Sequence, residues 1–192
     1  MKTGIIVIIV VVLLGMFGCN KYNGLVKQDE NVKNQWGVVQ SSYQRRTDLI
    51  PNLVSTVKGA ANFETETLTK VMEARASATQ IKVNADDLTP EKLQQFQAAQ
   101  GQLSQALGRL LAVSENYPDL KANANFQNLQ VQLEGTENRI NQARNDFNGA
   151  VRGYNSTVRT FPNNIIAGIS GFKQKAYFEA EAGSEKAPEV KF

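Results

Sequence analysis

The sequence predicts an all-α protein: an up-down-up-down antiparallel four-helix bundle with long helices, preceded by an N-terminal hydrophobic membrane segment. Apolar residues recur at three- and four-residue steps through four long segments, which is the spacing of a helix face. No segment of any length alternates apolar and polar residues as a strand does. Proline is scarce while Gln, Asn and Ala are abundant, a composition typical of long solvated helices.

The first segment, residues 1–19, predicts attachment to a membrane. Lys2 precedes an apolar run from Ile5 to Phe17, and Gly18 and Cys19 follow it. As a helix, residues 4–18 are only about 22 Å long, whereas a bilayer core is about 30 Å thick. The length suits the apolar core of a signal peptide.

Two forms of anchor are consistent with this segment. The residues before Cys19 resemble a bacterial lipoprotein signal, in which Cys19 becomes the acylated N-terminus. The alternative is a short transmembrane helix that includes Ile5, Val10, Leu14 and Phe17. A retained helix would favour a cytoplasmic body, because lysines are more numerous after it than before it. The two forms therefore place the body on opposite sides of the membrane.

The composition of the residues after the first segment limits the size of the body and the kinds of site it can contain. Residues 20–172 are predicted to form one helical bundle, and residues 173–192 a C-terminal extension that ends in a solvated tail from residue 183. The chain has no His, and Cys19 is its only cysteine, which excludes disulfides and nearly every zinc, haem or iron–sulfur site from the body. The net charge of +3 comes from interspersed charges, so no nucleic-acid partner is expected.

The first two predicted helices meet at a tight reversal. Helix one spans about residues 24–47, and the dipole at its carboxyl end favours the cations Arg45 and Arg46. Asp48 then caps helix two, with Pro51 in the first turn, where its missing N–H matters little. Helix two continues to about residue 83. The first helix is defined by its apolar stripe of Leu25, Val32, Trp36, Val39 and Tyr43.

The last two predicted helices have clear ends. Thr89, Pro90 and Glu91 form a strong start signal for helix three, which spans about residues 90–114 and places Gln100 within an apolar seam. Helix four spans about residues 123–160, or about 55 Å.

Two blocks of the sequence carry a family resemblance: YQRRTDLIPNLV at residues 43–54 and ENYPDLKAN at residues 115–123. Shorter matches such as Tyr22–Val26 and Phe161–Pro162 extend it over nearly the whole chain. On these blocks the chain resembles the LemA family. The resemblance implies an N-terminal membrane segment followed by a helical bundle, usually with a cytoplasmic body, and no firmly assigned activity or catalytic residue.

Several side chains are candidates for chemistry. Five carboxylates could form a metal site in a bundle, but the di-iron pattern needs Glu-x-x-His, so charged solvated faces are the better account. The carboxylates are Glu64, Glu73, Glu115, Glu134 and Glu137. Arg45, Arg46 and Lys58 form either a basic patch or dipole-complementing cations, and the latter is favoured. Four aromatics are expected in the core rather than in a ligand pocket: Trp36, Tyr43, Tyr117 and Tyr154.

The apolar residues after helix four emerge beside the anchor, because a fourth antiparallel helix returns to the membrane-proximal end. They either rest on the bilayer or cap the base of the bundle, and capping is favoured. These residues are Ile165, Ile166, Ile169 and Phe172.

The function predicted from these features is that of a membrane-anchored interaction or scaffold protein at the bacterial membrane. Its expected partners are membrane lipid, through the anchor, and another envelope or membrane protein. The alternative is a homo-oligomerising structural membrane protein, in which copies cover apolar positions near Val151, Tyr154 and Val158. An enzyme is not expected, and neither catalytic, cofactor-binding nor metal-binding residues are predicted.

Overall fold

The computed structural model describes residues 2–59 and 64–179. Within these ranges the chain forms six α-helices and one 3₁₀ turn, and no strand. The prediction of an all-α fold is confirmed. The helices are α1 Lys2–Lys58, α2 Thr65–Gln80, α3 Pro90–Ser114, α4 Pro118–Lys121, α5 Ala124–Arg159 and α6 Asn163–Ser170, with the 3₁₀ turn at Ala85–Asp87.

The reversal predicted between helices one and two is wrong, because α1 continues through it for 57 residues, or about 85 Å. Pro51 lies inside this helix and has no N–H to donate to the carbonyl of Thr47. Arg75 of α2 replaces the missing donor, since its Nε lies 2.9 Å from that carbonyl oxygen. Asp48, the predicted cap, instead accepts a 2.7 Å hydrogen bond from Gln44. A tertiary contact therefore compensates the proline.

The chain turns at Gly59 instead, so the residues predicted to form one second helix are divided between α1 and α2. A side chain at Gly59 would place its Cβ 3.3 Å from the carbonyl oxygen of Thr56, so glycine fits this turn closely. Residues 48–58 belong to α1, and α2 begins at Thr65. Arg45 and Arg46 therefore lie in the middle of a helix, and their assignment to a helix end is also wrong.

The third and fourth helices agree with prediction. Helix α3 has the predicted bounds, and the Thr89 hydroxyl accepts a 3.4 Å hydrogen bond from the Lys92 N–H. Helix α5 begins one residue later than predicted and ends one residue earlier. The Asn123 side chain caps its start by accepting hydrogen bonds from the backbone N–H groups of Asn125 and Phe126. Local capping residues therefore determine where these two helices begin.

The long helices pack as two close pairs, α1 with α5 and α2 with α3. Helix α2 opposes α1 in direction, because Arg75 contacts Thr47 while Val83, farther along, accepts a 2.9 Å hydrogen bond from Trp36. Helices α3 and α5 approach each other less closely. Large side chains fill the space between the pairs, and the core divides into a cluster around Trp36 and another around Phe126.

The chain packs on the helices for several residues after α6. Residues 173–179, here called the strap, run along α5 without regular secondary structure, and Phe178 is buried in the core cluster around Trp36. The strap therefore packs on the body, and residues 173–192 stay a predicted C-terminal extension. The tail predicted from residue 183 lies outside the described residues.

Candidate interaction surface

The apolar segment at the start of α1 is exposed on every side. Ile5, Val10, Leu14 and Phe17 are 47–65% exposed, and no part of the most apolar stretch is buried by the rest of the chain. By length and composition α1 can cross a membrane, and a signal sequence near the N-terminus meets the same description. Cys19 is a free, exposed cysteine. The exposed apolar segment and Cys19 are therefore consistent with either form of anchor.

A buried arginine joins the four long helices midway along the body. Arg46 of α1 is 2% exposed, and its guanidinium donates to Gln100 and Ser104 of α3 and to Glu137 of α5. The distances are 2.7 Å to the Gln100 and Ser104 side-chain oxygens and 2.9 Å to the Glu137 carboxylate. The Gln100 amide in turn donates to the Ala78 carbonyl of α2 at 3.4 Å. A buried charge needs such partners, because desolvating it alone is costly.

This network was not predicted from the sequence, although two polar residues in the sequence indicate it. Gln100 interrupts an otherwise apolar seam, and Arg46 lies three residues after Tyr43 and four before Ile50, on the buried stripe of α1. A polar residue on each of two buried stripes indicates a polar contact in the core. The network therefore connects α1, α2, α3 and α5 through side-chain hydrogen bonds.

An open groove of about 510 Å³ lies between α3 and α5, where those helices stand apart. Its lining includes the buried Arg46 and the small residues Ala98 and Gly101. A methyl group added at Gly101 would meet nothing within 4 Å, so this glycine leaves the groove open. Glutamines line much of the rim: Gln94, Gln97, Gln102 and Gln105.

The strap is held on α5 by two asparagines that each bind both backbone groups of one strap residue. Asn155 accepts the Lys175 N–H at 2.9 Å and donates to the Lys175 carbonyl at 2.8 Å. Asn148 makes the same pair of bonds with Phe178, at 2.8 and 3.0 Å. Seven helical residues span about 10.5 Å and three extended residues about 10 Å, so the two clamps are in register.

Side chains of the strap add further attachment. Phe178 packs against the rings of Trp36 and Phe147, with centroids 5.9 and 5.4 Å away. The Lys175 ammonium lies 2.9 Å from the Asp29 carboxylate and 5.5 Å from the centre of the Tyr154 ring. Burial, assisted by the charge of Asp29, raises the pKa of Tyr154 to about 12. The strap thus ties α1 and α5 together near the base of the body.

At the base, α6 packs against α1 and α5 and presents two unlike faces. Ala167 is buried, and Ile166 and Phe172 pack against the core. Ile165 and Ile169 point away and are 54% and 83% exposed. The predicted capping role therefore describes one face of this segment, while membrane contact by the other face stays a prediction.

Comparison with known proteins places this architecture in a family. The profile of the LemA family matches residues 35–192, most of the chain. The chain belongs to the LemA family. The match begins after the apolar segment and covers the Arg46 network, the groove and the strap.

Individual relatives of this LemA-family chain are distant. Magnetosome protein MamQ 2 of Paramagnetospirillum magneticum is 26% identical over 184 residues, which cover 86% of this chain and 67% of that protein. Protein LemA of Metamycoplasma hominis is 27% identical over 158 residues, covering 82% of this chain and 68% of its own length. Magnetosome protein MamQ of Magnetospirillum gryphiswaldense is 26% identical over 181 residues, with coverages of 85% and 66%. The chain thus spans about two thirds of each of these relatives.

The other candidate residues of this LemA-family chain take structural positions. Trp36, Tyr43 and Tyr154 are at most 5% exposed and lie in the core, as predicted. Glu137 pairs with Arg46, and Glu115 pairs with Lys121. Across residues 2–59 and 64–179, no three Asp, Glu or Cys side chains are grouped as a metal site would require.

Proposed function

We propose that this protein is a membrane-anchored interaction protein whose body holds a protein partner close to the bilayer. One observation carries the proposal: α1 runs unbroken from the exposed apolar segment into the core. Leu25, the first fully buried residue, comes six residues after Cys19, or about 9 Å along the helix. In either form of the anchor, α1 therefore connects Cys19 to the body as a continuous helix, without a flexible linker.

The groove between α3 and α5 is the proposed docking surface. In this proposal the four long helices act as one up-down-up-down bundle, cross-linked by Arg46 and its partners. Glutamine amides both donate and accept hydrogen bonds, and an open polar groove suits a wet contact with another protein. The expected partner is an envelope or membrane protein, because the short connection to the anchor keeps the groove within one body length of the membrane.

A substitution that fills the groove tests this surface. Gly101→Leu places a side chain in open space on α3 and improves its helix propensity by nearly 1 kcal/mol, so folding is preserved. Gly108→Leu is the matched control, since Gly108 lies two turns farther along α3, does not line the groove, and also has open space for a side chain. A photo-reactive residue at Gln105 in full-length protein then reports cross-links in intact bacteria.

The proposal expects a discrete cross-linked protein that Gly101→Leu removes and Gly108→Leu retains. Equal cross-linking in both variants, or none in the unmodified chain, would overturn the groove as the docking surface. A product with twice the mass of this chain would support the alternative, a homo-oligomerising structural membrane protein. The residues that suggested this alternative, Val151, Tyr154 and Val158, are already covered within one chain.

We further propose that the protein has no catalytic role and that the anchor takes one of the two forms already described. Intact-mass measurement of membrane-extracted protein distinguishes them. Loss of residues 1–18 with added acyl mass at Cys19 identifies a lipoprotein, whereas an unprocessed N-terminus identifies a transmembrane helix.

A further inference from the structure

We infer that the base of the body makes a second contact with the bilayer, through a patch formed by Phe161, Ile165 and Ile169. This patch is here called the membrane seat. The inference deepens the proposed function, since it rests on attachment of α1 to a membrane. It assigns the outward face of α6 to lipid, and the inward face to the core.

The membrane seat is apolar and solvent-exposed within the described chain. Phe161, Ile165 and Ile169 are 74%, 54% and 83% exposed and are spaced four residues apart, so the two isoleucines share one helix face. Ala167 on the opposite face is 1% exposed. A short helix with one face packed on the protein and one bare apolar face is suited to lie in a bilayer interface.

The position of α6 brings this patch to the membrane surface. The ring of Phe172, which directly follows α6 and Gly171, lies 5.8 Å from the ring of Tyr22. Tyr22 is only three residues past Cys19, about 4.5 Å along α1. Interfacial helices bury their apolar faces about 5–10 Å into the headgroup and acyl boundary. The Phe172 contact therefore holds the C-terminal end of α6 beside Tyr22, close to the membrane surface in either form of the anchor.

The charges around the seat fit a bacterial lipid surface. Residues 159–178 include Arg159, Lys173 and Lys175 and contain no Asp or Glu. Arg159 and Lys173 are exposed, and Lys21 lies on α1 beside Tyr22. Cations close to an anionic membrane surface are attracted to it. Apolar contact and charge therefore point to the same occupant, a bilayer that contains anionic lipid.

Lipid photo-cross-linking tests the seat in the full-length protein. A photo-reactive phenylalanine replaces Ile169 in protein reconstituted into phosphatidylethanolamine and phosphatidylglycerol vesicles, and lipid adducts are counted by mass spectrometry. The matched control replaces Val131, which is also exposed and apolar (67%) but lies on α5 about 40 Å from its base end. The seat predicts a several-fold higher yield of lipid adducts at position 169 than at position 131.

A second variant separates the seat from folding. Ile165→Ser with Phe161→Ser removes two exposed side chains, so thermal unfolding in detergent should not change, while the adduct yield at position 169 should fall several-fold. Equal yields at positions 169 and 131 in protein that floats with the vesicles would overturn the seat alone. If the protein fails to float with vesicles, the anchor of the proposed function fails as well.

Discussion

The contact between Arg75 and the Thr47 carbonyl should matter only because residue 51 is proline. Arg75→Met keeps the apolar stem but removes the donor, leaving a carbonyl of a residue that is 3% exposed without its partner. Hydrogen bonds to charged groups contribute about 1.5–3 kcal/mol, and a buried unsatisfied group costs about 1–3 kcal/mol. We therefore expect Arg75→Met to lower the free energy of unfolding by about 2 kcal/mol.

The same substitution should cost less in a Pro51→Ala background. Alanine restores an N–H at position 51, which can donate to the Thr47 carbonyl within the helix. The loss caused by Arg75→Met should then fall below about 1 kcal/mol, which gives a coupling energy of at least about 1 kcal/mol between two residues that are far apart in sequence. The exposed Arg152→Met serves as a control for loss of a charge and should have little effect in either background.

Urea unfolding of full-length protein in detergent micelles, followed by circular dichroism, measures these energies. The free energy of unfolding must fall with urea concentration at the same slope in all variants before their midpoints are compared. If Arg75→Met costs the same with proline or alanine at position 51, the contact does not compensate the proline, and the explanation of the continuous α1 is wrong.

Two further predictions concern the strap and its surroundings. Because the pKa of Tyr154 is raised from about 10 to about 12, the folded state holds this proton more tightly than the unfolded state. The stability from Tyr154 is therefore complete below pH 10 and declines as pH rises from 10 to 12. Tyr154→Phe should reduce the loss of unfolding free energy between pH 9 and pH 11, measured from unfolding curves at the two pH values. An unchanged loss would refute the assignment. Asn155→Asp keeps the acceptor for the Lys175 N–H but loses the donor to its carbonyl, so amide hydrogen exchange at Lys175 should speed up at least several-fold. Asn145→Asp, on the exposed surface of α5, should leave that exchange unchanged, and equal rates in both variants would exclude the clamp.

Features encoded by neighbouring residues were predictable from the sequence. Thr89 and Asn123 are local caps, and the helices that follow them have the predicted bounds within one residue. The apolar stripe of α1 correctly placed Trp36 and Tyr43 in the core. Each of these signals acts over one or two helical turns, the range at which capping and periodicity operate.

Features that depend on distant residues were not predictable in the same way. Pro51 indicates a helix start unless a donor reaches Thr47, and that donor comes from Arg75, on the following helix. The strap is recognised by Asn148 and Asn155 through backbone groups, which leave no pattern in the strap's own sequence. The groove arises because α3 and α5 stand apart, a distance set by the packing of whole helices.

Alkaline carbonate extraction of bacterial membranes tests most directly whether α1 anchors this protein. Full-length protein should remain in the membrane pellet, because the apolar segment of α1 or an acylated Cys19 holds it there independently of charge. A chain that begins at Lys21 keeps the membrane seat and its cations but lacks the anchor, and it should be released into the supernatant. Release of the full-length protein under the same conditions would contradict the anchored account.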